Sequence, residues 1–166
     1  ELYLVRTECN SIFSLDNVIK DPDLYVDDIL KEGFIDVPDG DKVFKGIQPR
    51  KDDELQKFIE FLFPEYTVVY NFVRQSSLNQ VEPNFIHTDE MMGDKTILLY
   101  LNKVFPKGAG TTLYKEETPV CIAYSDYNRL VVFDSITPHS RNIFENFGEG
   151  KDSRLVQVMF IKKNNV

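Results

Sequence analysis

Seven short apolar runs follow one another from Tyr66 to Lys162, and turn-forming residues separate each run from the next. They cover residues 67–75, 85–88, 96–102, 111–115, 120–124, 129–133 and 154–162. Apolar runs of this length and spacing are typical of strands in a barrel or a double-sheet jelly roll. The chain also contains 13 Phe and 8 Tyr, and aromatic residues favour strands over helices. A mainly β architecture is therefore predicted.

Two helices are predicted ahead of these strands. Asp21 can cap and Gly33 can end a helix over 22–32, and apolar residues recur at helical spacing over 52–62, just before Pro64. Both helices are expected to pack on one outer face of the sheets, which makes the class α+β. An edge strand followed by a turn is predicted within the first 20 residues, and a hairpin is predicted over 34–37 and 42–47.

Length and charge narrow the class of protein. A chain of 166 residues suits a single domain over 1–166, because chains near this size bury roughly 70% of their unfolded surface. A formal net charge of −8 argues against nucleic acid as a partner. The sequence has neither an apolar run of the ~20 residues that a membrane span needs nor a signal-peptide pattern. A soluble, cytoplasmic protein with no membrane partner is expected, and its oligomeric state is left open.

Cys9 and Cys121 are the two cysteines of the chain. Their number and separation do not suit a disulfide framework or a zinc knuckle. Free cysteine is among the residue types most often buried in proteins. Both thiols are therefore expected to be buried, in a protein of a reducing compartment.

The segment His87-Thr88-Asp89 carries the strongest chemical signal. In a strand, residues i and i+2 leave the same face, so this imidazole and this carboxylate could bind one ion together. The only other histidine is His139, in the sequence TPHS over 137–140. Two histidines and one carboxylate form the facial triad of non-haem iron sites, which leaves three coordination positions open. The sequence therefore predicts a metal site made of His87, Asp89 and His139.

Further motifs follow this pattern in a fixed order. The segment TILLYLN over 96–102 has the pattern of a buried strand, and GAGTTLY over 108–114 that of a turn and a strand. RLVVFD over 129–134 leads to His139, and Arg154 opens the last strand. This order resembles the prolyl-4-hydroxylase-like branch of the 2-oxoglutarate- and Fe(II)-dependent oxygenases, over about 66–162.

The resemblance implies a double-stranded β-helix, a jelly-roll fold similar to that of the cupins. It also implies that His87, Asp89 and His139 bind Fe(II), with 2-oxoglutarate as cosubstrate and O2 as oxidant. Arg154 would bind the far carboxylate of 2-oxoglutarate, since a guanidinium pairs with a carboxylate through two parallel hydrogen bonds. Tyr100 would hydrogen-bond the same cosubstrate.

Arg154 lies 15 positions after His139, a wider interval than the resemblance leads one to expect. A lengthened hairpin turn over 146–152 is predicted to absorb the difference. Arg141, two positions after His139, is the alternative residue for binding 2-oxoglutarate.

The resemblance implies an oxidoreductase, a dioxygenase that hydroxylates a C–H bond and releases succinate and CO2. Its primary substrate is left open between a peptidyl or prolyl residue and a small molecule. The alternative is a catalytically silent, cupin-like domain for metal binding or scaffolding. A metal-dependent isomerase on a similar barrel would usually need a third histidine, and this chain contains two.

Overall fold

The structure, a computed structural model, describes residues 2–6, 11–78, 80, 85–142 and 146–165, with the backbone alone for 2–6 and 11. Within these residues lie two α-helices, Pro22–Glu32 (α1) and Glu54–Leu62 (α2), and a short 3₁₀ helix, Gly150–Asp152. The strands are β1 (Leu2–Arg6), β2 (Ser11–Leu15), β3 (Ile35–Asp39), β4 (Lys42–Pro49), β5 (Tyr66–Ser76), β6 (Lys95–Tyr100), β7 (Gly110–Lys115), β8 (Thr118–Tyr124), β9 (Arg129–Asp134), β10 (His139–Arg141) and β11 (Arg154–Lys163).

The strands form two antiparallel sheets. The larger sheet has the order β1-β2-β9-β6-β11-β5-β4-β3, and the smaller sheet has the order β10-β7-β8. The chain passes from the larger sheet to the smaller one after β6 and again after β9, and it returns to the larger sheet at β9 and at β11. This winding is that of a double-stranded β-helix, so the predicted fold is confirmed.

Strand β11 lies between β5 and β6 in the larger sheet, and its side chains divide between two apolar clusters. Leu155 and Met159 belong to the cluster on the outer face of the sheet. Val156 and Val158 belong to the smaller cluster on the inner face, between the two sheets. Because side chains alternate along a strand, Arg154 leaves the same face as Val156, as the sequence predicted.

Both helices pack on the outer face of the larger sheet. Helix α1 begins after Asp21, whose carboxylate accepts a hydrogen bond from the Leu24 N–H at 3.2 Å, and it ends at Gly33, whose φ is 79°. Helix α2 begins two residues later than predicted, because Asp53 has an extended backbone and caps the helix. In the described part of the chain, neither helix has the length and the apolar character to cross a membrane.

Three local predictions were wrong. Residues 85–88 form no strand, and only His87 takes part in an isolated β-bridge. Segment 146–152 is not a hairpin turn, because it connects β10 of the smaller sheet to β11 of the larger one. Cys121 is partly rather than fully buried, since it lies on β8, an edge strand of the smaller sheet. Cys9 lies outside the described residues.

A buried polar network joins the helices to the larger sheet. The Asp53 carboxylate accepts hydrogen bonds from Arg50 Nε, Gln157 Nε2 and the Tyr25 hydroxyl, each at 2.9 Å. Burial by itself raises the pKa of Asp53. The hydrogen bonds from these three side chains and from the N–H of Gln56 lower the pKa by more than burial raises it, so the pKa lies below its ordinary value. The carboxylate is therefore charged at neutral pH, and its charge is met by hydrogen-bond donors.

Replacing Asp53 with Ala is expected to lower the free energy of unfolding by about 2–4 kcal/mol. Loss of a helix cap contributes about 1 kcal/mol, and buried donors left without their acceptor contribute roughly 1–3 kcal/mol. Urea unfolding at pH 7 would measure this. The matched control is Asp28→Ala on the exposed face of α1, which should change stability by less than about 0.5 kcal/mol.

The same variant has an expected pH dependence. The folded-state pKa of Asp53 is depressed, so its contribution to stability is present above the unfolded pKa of about 3.9 and is lost as the pH falls through the folded-state pKa. The stability difference between the wild type and Asp53→Ala should therefore shrink in acid, below about pH 4. A difference that stayed constant into acid would contradict the role of the charge.

Candidate metal centre

Backbone hydrogen bonds bring the two histidines together. His139 opens β10, where it is in register with Leu113 of β7. Its N–H donates to the carbonyl of His87 at 2.9 Å, and the N–H of His87 donates to the carbonyl of His139 at 3.0 Å. This reciprocal bridge leaves the centroids of the two imidazole rings 4.4 Å apart.

Asp89 is tied to the segment that leads to His139. Its N–H donates to the carbonyl of Ser135 at 2.9 Å, and Ser135 lies directly after β9. One carboxylate oxygen of Asp89 is 2.8 Å from Nε2 of His139, and the other is 3.6 Å from Nε2 of His87. The carboxylate therefore faces both imidazoles.

Each imidazole is oriented by the carbonyl two residues before it. His87 Nδ1 lies 3.0 Å from the Phe85 carbonyl, and His139 Nδ1 lies 2.9 Å from the Thr137 carbonyl. A carbonyl only accepts hydrogen bonds, so Nδ1 is the donor in each neutral ring and Nε2 keeps its lone pair. Metal-binding histidines commonly have their second nitrogen held in this way.

The three side chains fit a divalent metal ion. One ligand atom from each of His87, Asp89 and His139 lies within 4.8 Å of the other two. Two ligands at right angles, each bound at about 2.1 Å, are separated by roughly 3 Å, and the 2.8 Å between Asp89 and His139 Nε2 is close to that. Two neutral imidazoles and one carboxylate are also the donor set that suits Fe(II) with open positions.

The centre opens to solvent on the side of His87. The exposed fraction of the side chain rises from 8% for His139 to 18% for Asp89 and 37% for His87. The Phe85 ring lies against the His87 ring, with centroids 5.1 Å apart. Four exposed apolar side chains lie within three residues of a ligand in sequence, and we call them together the apolar rim: Phe85, Ile86, Met91 and Ile136.

Tyr100 and Arg154 lie together on the inner face. The buried Tyr100 hydroxyl is 2.8 Å from Oγ1 of Thr111. Burial raises the pKa of Tyr100 to about 12, while the bond to Thr111 and the charges of Arg154 and Arg129 act in the opposite direction. The hydroxyl is therefore protonated at neutral pH and can donate a hydrogen bond. Arg154 is near enough for its charge to act on this hydroxyl.

Arg141 is held in a different network. It follows His139 by two residues on β10 and so leaves the same face. Its Nη2 donates to Oδ1 of Asn146 at 3.1 Å, and Asn146 donates to the carbonyls of Ser77 and Gln80 at 2.9 and 2.6 Å. Arg141 thus takes part in a contact between β10 and the segment that follows β5.

Asn102 has a role that the sequence did not reveal. Its Oδ1 accepts from the Leu155 N–H at 2.9 Å and its Nδ2 donates to the carbonyl of Ser153. Asn102 therefore anchors the backbone on both sides of Arg154. Its partners lie about fifty residues away in sequence, so no local pattern could have predicted the contact; the only available signal was its place at the end of TILLYLN.

The fold of the chain is similar to that of solved structures. The chain has the fold of the 2-oxoglutarate- and Fe(II)-dependent oxygenases and prolyl hydroxylases, which confirms the resemblance at the level of the fold. No protein-family model and no curated protein sequence matches the chain.

Three solved structures illustrate the match. An oxidoreductase of the 2OG-Fe(II) oxygenase family from Burkholderia pseudomallei has a TM-score of 0.58 at 13% identity, over 93% of this chain and 86% of that chain. A prolyl-4-hydroxylase from Pseudomonas putida has a TM-score of 0.60 at 13% identity, over 93% of each chain. A prolyl hydroxylase from Trichoplax adhaerens, in complex with a hypoxia inducible factor oxygen degradation domain peptide fragment, has a TM-score of 0.65 at 16% identity, over 90% of this chain and 82% of that chain.

Proposed function

We propose that this chain is a 2-oxoglutarate- and Fe(II)-dependent dioxygenase that hydroxylates a C–H bond of its substrate. The observation that carries the proposal is the convergence of His87, Asp89 and His139 within 4.8 Å. In a neutral imidazole whose Nδ1 donates to the nearby carbonyl, the Nε2 lone pair is available to an ion beside the carboxylate, and one side of the group is open. This arrangement lies in a fold shared with oxygenases of that kind.

The three ligands would hold Fe(II) from one side. The single negative charge of an Asp89 carboxylate would offset part of the charge of the ion, and an imidazole binds a metal ion in its neutral form. When bound, Fe(II) supplies, with 2-oxoglutarate and O2, the chemistry that converts C–H into C–OH and yields succinate and CO2. The backbone bridge between His87 and His139 places the two imidazoles side by side, with their centroids 4.4 Å apart.

Arg154 and Tyr100 would bind the far carboxylate of 2-oxoglutarate. Thr111, which holds the Tyr100 hydroxyl, lies two residues before Leu113, the partner of His139. Two residues of a strand span about 7 Å, which is comparable with the length of a five-carbon dicarboxylate. An apolar inner face strengthens such an ion pair by excluding water. Arg141 is the alternative, and one of its guanidinium nitrogens, Nη2, donates to Asn146.

The primary substrate would approach across the apolar rim. Peptidyl groups, prolyl residues among them, and small molecules are the proposed classes. The Trichoplax adhaerens neighbour, which contains a peptide fragment, favours the first class. The net charge of −8 supports the expectation that nucleic acid is not a partner.

The decisive experiment measures succinate formed from 2-oxoglutarate by the purified protein, with and without added Fe(II). Uncoupled turnover is expected, so succinate should accumulate without any primary substrate and should stop when a chelator removes the metal. A protein that binds Fe(II) and 2-oxoglutarate yet forms no succinate under any condition would instead be the catalytically silent metal-binding domain. Asp89→Ala serves as the matched inactive protein.

A further inference from the structure

Ser135 holds both ends of the loop that begins with the ligand carboxylate. It is fully buried, its carbonyl accepts from the Asp89 N–H, and its own N–H donates to the Asp94 carbonyl, both at 2.9 Å. The loop between them contains a turn, in which the Met92 N–H donates to the Asp89 carbonyl at 2.8 Å. The position of Asp89 therefore depends on the position of Ser135.

Ser135 also leads directly to the second histidine. The Thr137 N–H donates to the Asp134 carbonyl at 2.9 Å, which closes a turn around Ser135. The Thr137 carbonyl in turn orients the imidazole of His139. A displacement of Ser135 would therefore change the position of the carboxylate relative to that imidazole.

One side-chain contact ties Ser135 to the larger sheet. Its Oγ lies 2.9 Å from Oγ1 of Thr96, which is also buried. Thr96 lies on β6, with Phe133 of β9 and Phe160 of β11 as its partners on either side. The hydroxyl pair thus attaches the segment between β9 and β10 to β6, a strand that is hydrogen-bonded along both edges.

We propose that the Thr96–Ser135 hydroxyl pair is a positioning device for the metal centre, which sets the Asp89 carboxylate at the distance from His139 that a shared ion requires. The inference rests on the proposed function, since it assumes that these ligands bind a metal. Neither hydroxyl belongs to the three ligand candidates, and both would act through the backbone of Ser135. A hydroxyl pair that only stabilised the fold would have no specific effect on metal affinity.

Two variants of Thr96 separate these roles. Thr96→Val keeps the shape of the side chain and removes the hydroxyl, while Thr96→Ser keeps the hydroxyl and removes the methyl group. Titration with Co(II), followed by visible absorption, reports both the affinity and the ligand geometry. Thr96→Val is expected to weaken Co(II) binding by about tenfold and to change the spectrum, since loss of a group that orients a metal ligand typically weakens binding 10–100-fold. Thr96→Ser should keep the affinity and spectrum of the wild type.

Two further variants separate metal affinity from stability. The double variant Thr96→Val/Ser135→Ala removes both hydroxyls, which can be nearly neutral for stability. Its melting temperature should therefore return toward that of the wild type, while its Co(II) affinity should stay as low as that of Thr96→Val. Thr112→Val is the matched control. Thr112 is also a buried threonine whose hydroxyl bonds a side chain, that of Asn142. It lies on the opposite face of β7 from Leu113, the partner of His139. Thr112→Val should lower the melting temperature without changing Co(II) binding.

The outcomes distinguish this inference from the proposed function. Equal Co(II) affinities for Thr96→Val and Thr96→Ser, or affinities that simply follow the melting temperatures, would overturn the positioning role. The proposed function would survive that result if the wild type bound one Co(II) and Asp89→Ala did not. A wild type that bound no Co(II) would overturn both.

Discussion

Asp89→Ala is expected to abolish tight metal binding and all iron-dependent formation of succinate. Asp89 supplies the only negative charge among the three ligand candidates, and its carboxylate faces both imidazoles, at 2.8 and 3.6 Å. Loss of a residue that merely orients a ligand weakens metal binding about 10–100-fold, so loss of the ligand itself should exceed about 100-fold. Calorimetric titration with Mn(II) measures the affinity without oxidation of the metal.

The neighbouring residue provides the control for this experiment. Glu90 is an exposed carboxylate next to Asp89, and Glu90→Ala removes the same charge from the same loop. It should leave both Mn(II) affinity and succinate formation unchanged. Wild-type Mn(II) affinity in Asp89→Ala would show that the group of His87, Asp89 and His139 is not the metal site.

Arg154→Ala is expected to raise the 2-oxoglutarate concentration needed for half-maximal turnover by about 100-fold. Truncating one partner of a buried, hydrogen-bonded charge pair costs about 2–5 kcal/mol, and about 1.4 kcal/mol corresponds to a factor of ten. Mn(II) affinity should not change, because Arg154 is not a ligand candidate. Arg154→Lys keeps the charge without the planar fork, so its effect should lie between those of the wild type and Arg154→Ala.

Arg141→Ala is the informative comparison. Because Arg141 bonds Asn146 and through it the segment after β5, its loss should lower the melting temperature and leave the 2-oxoglutarate requirement close to that of the wild type. If Arg141→Ala strongly raised the 2-oxoglutarate concentration needed for half-maximal turnover and Arg154→Ala did not, Arg141 rather than Arg154 would be the residue that binds 2-oxoglutarate.

Local rules predicted much of the fold. Asp21, Pro22 and Gly33 predicted the bounds of α1 because capping depends on residues next to the helix ends. Alternation along β11 placed Arg154 on the face of Val156, because the side-chain period of a strand is two. The start of α2 was misplaced, since Asp52 and Asp53 both resemble cap residues and only Asp53 accepts the hydrogen bond from the backbone N–H of Gln56.

Long-range pairing produced the features that local rules missed. Strand β10 has three residues, too few for any periodic pattern, and it exists because it pairs with β7. Residues 85–88 have the composition of a strand, yet only His87 is paired, and its partner is His139. The contacts of Asn102 and Ser135 are of the same kind, since a small polar residue has no sequence pattern that names a distant partner.

The sequence by itself determined which side chains could serve as metal ligands, because only two histidines were available and their order among the strands matched a known arrangement. The tertiary structure decided whether those side chains meet. His87 and Asp89 are close along the chain, but His139 reaches them through backbone hydrogen bonds that form only when the two sheets have assembled. Distances of a few ångströms between residues far apart in sequence depend on the packing of the whole domain, and no local propensity encodes them.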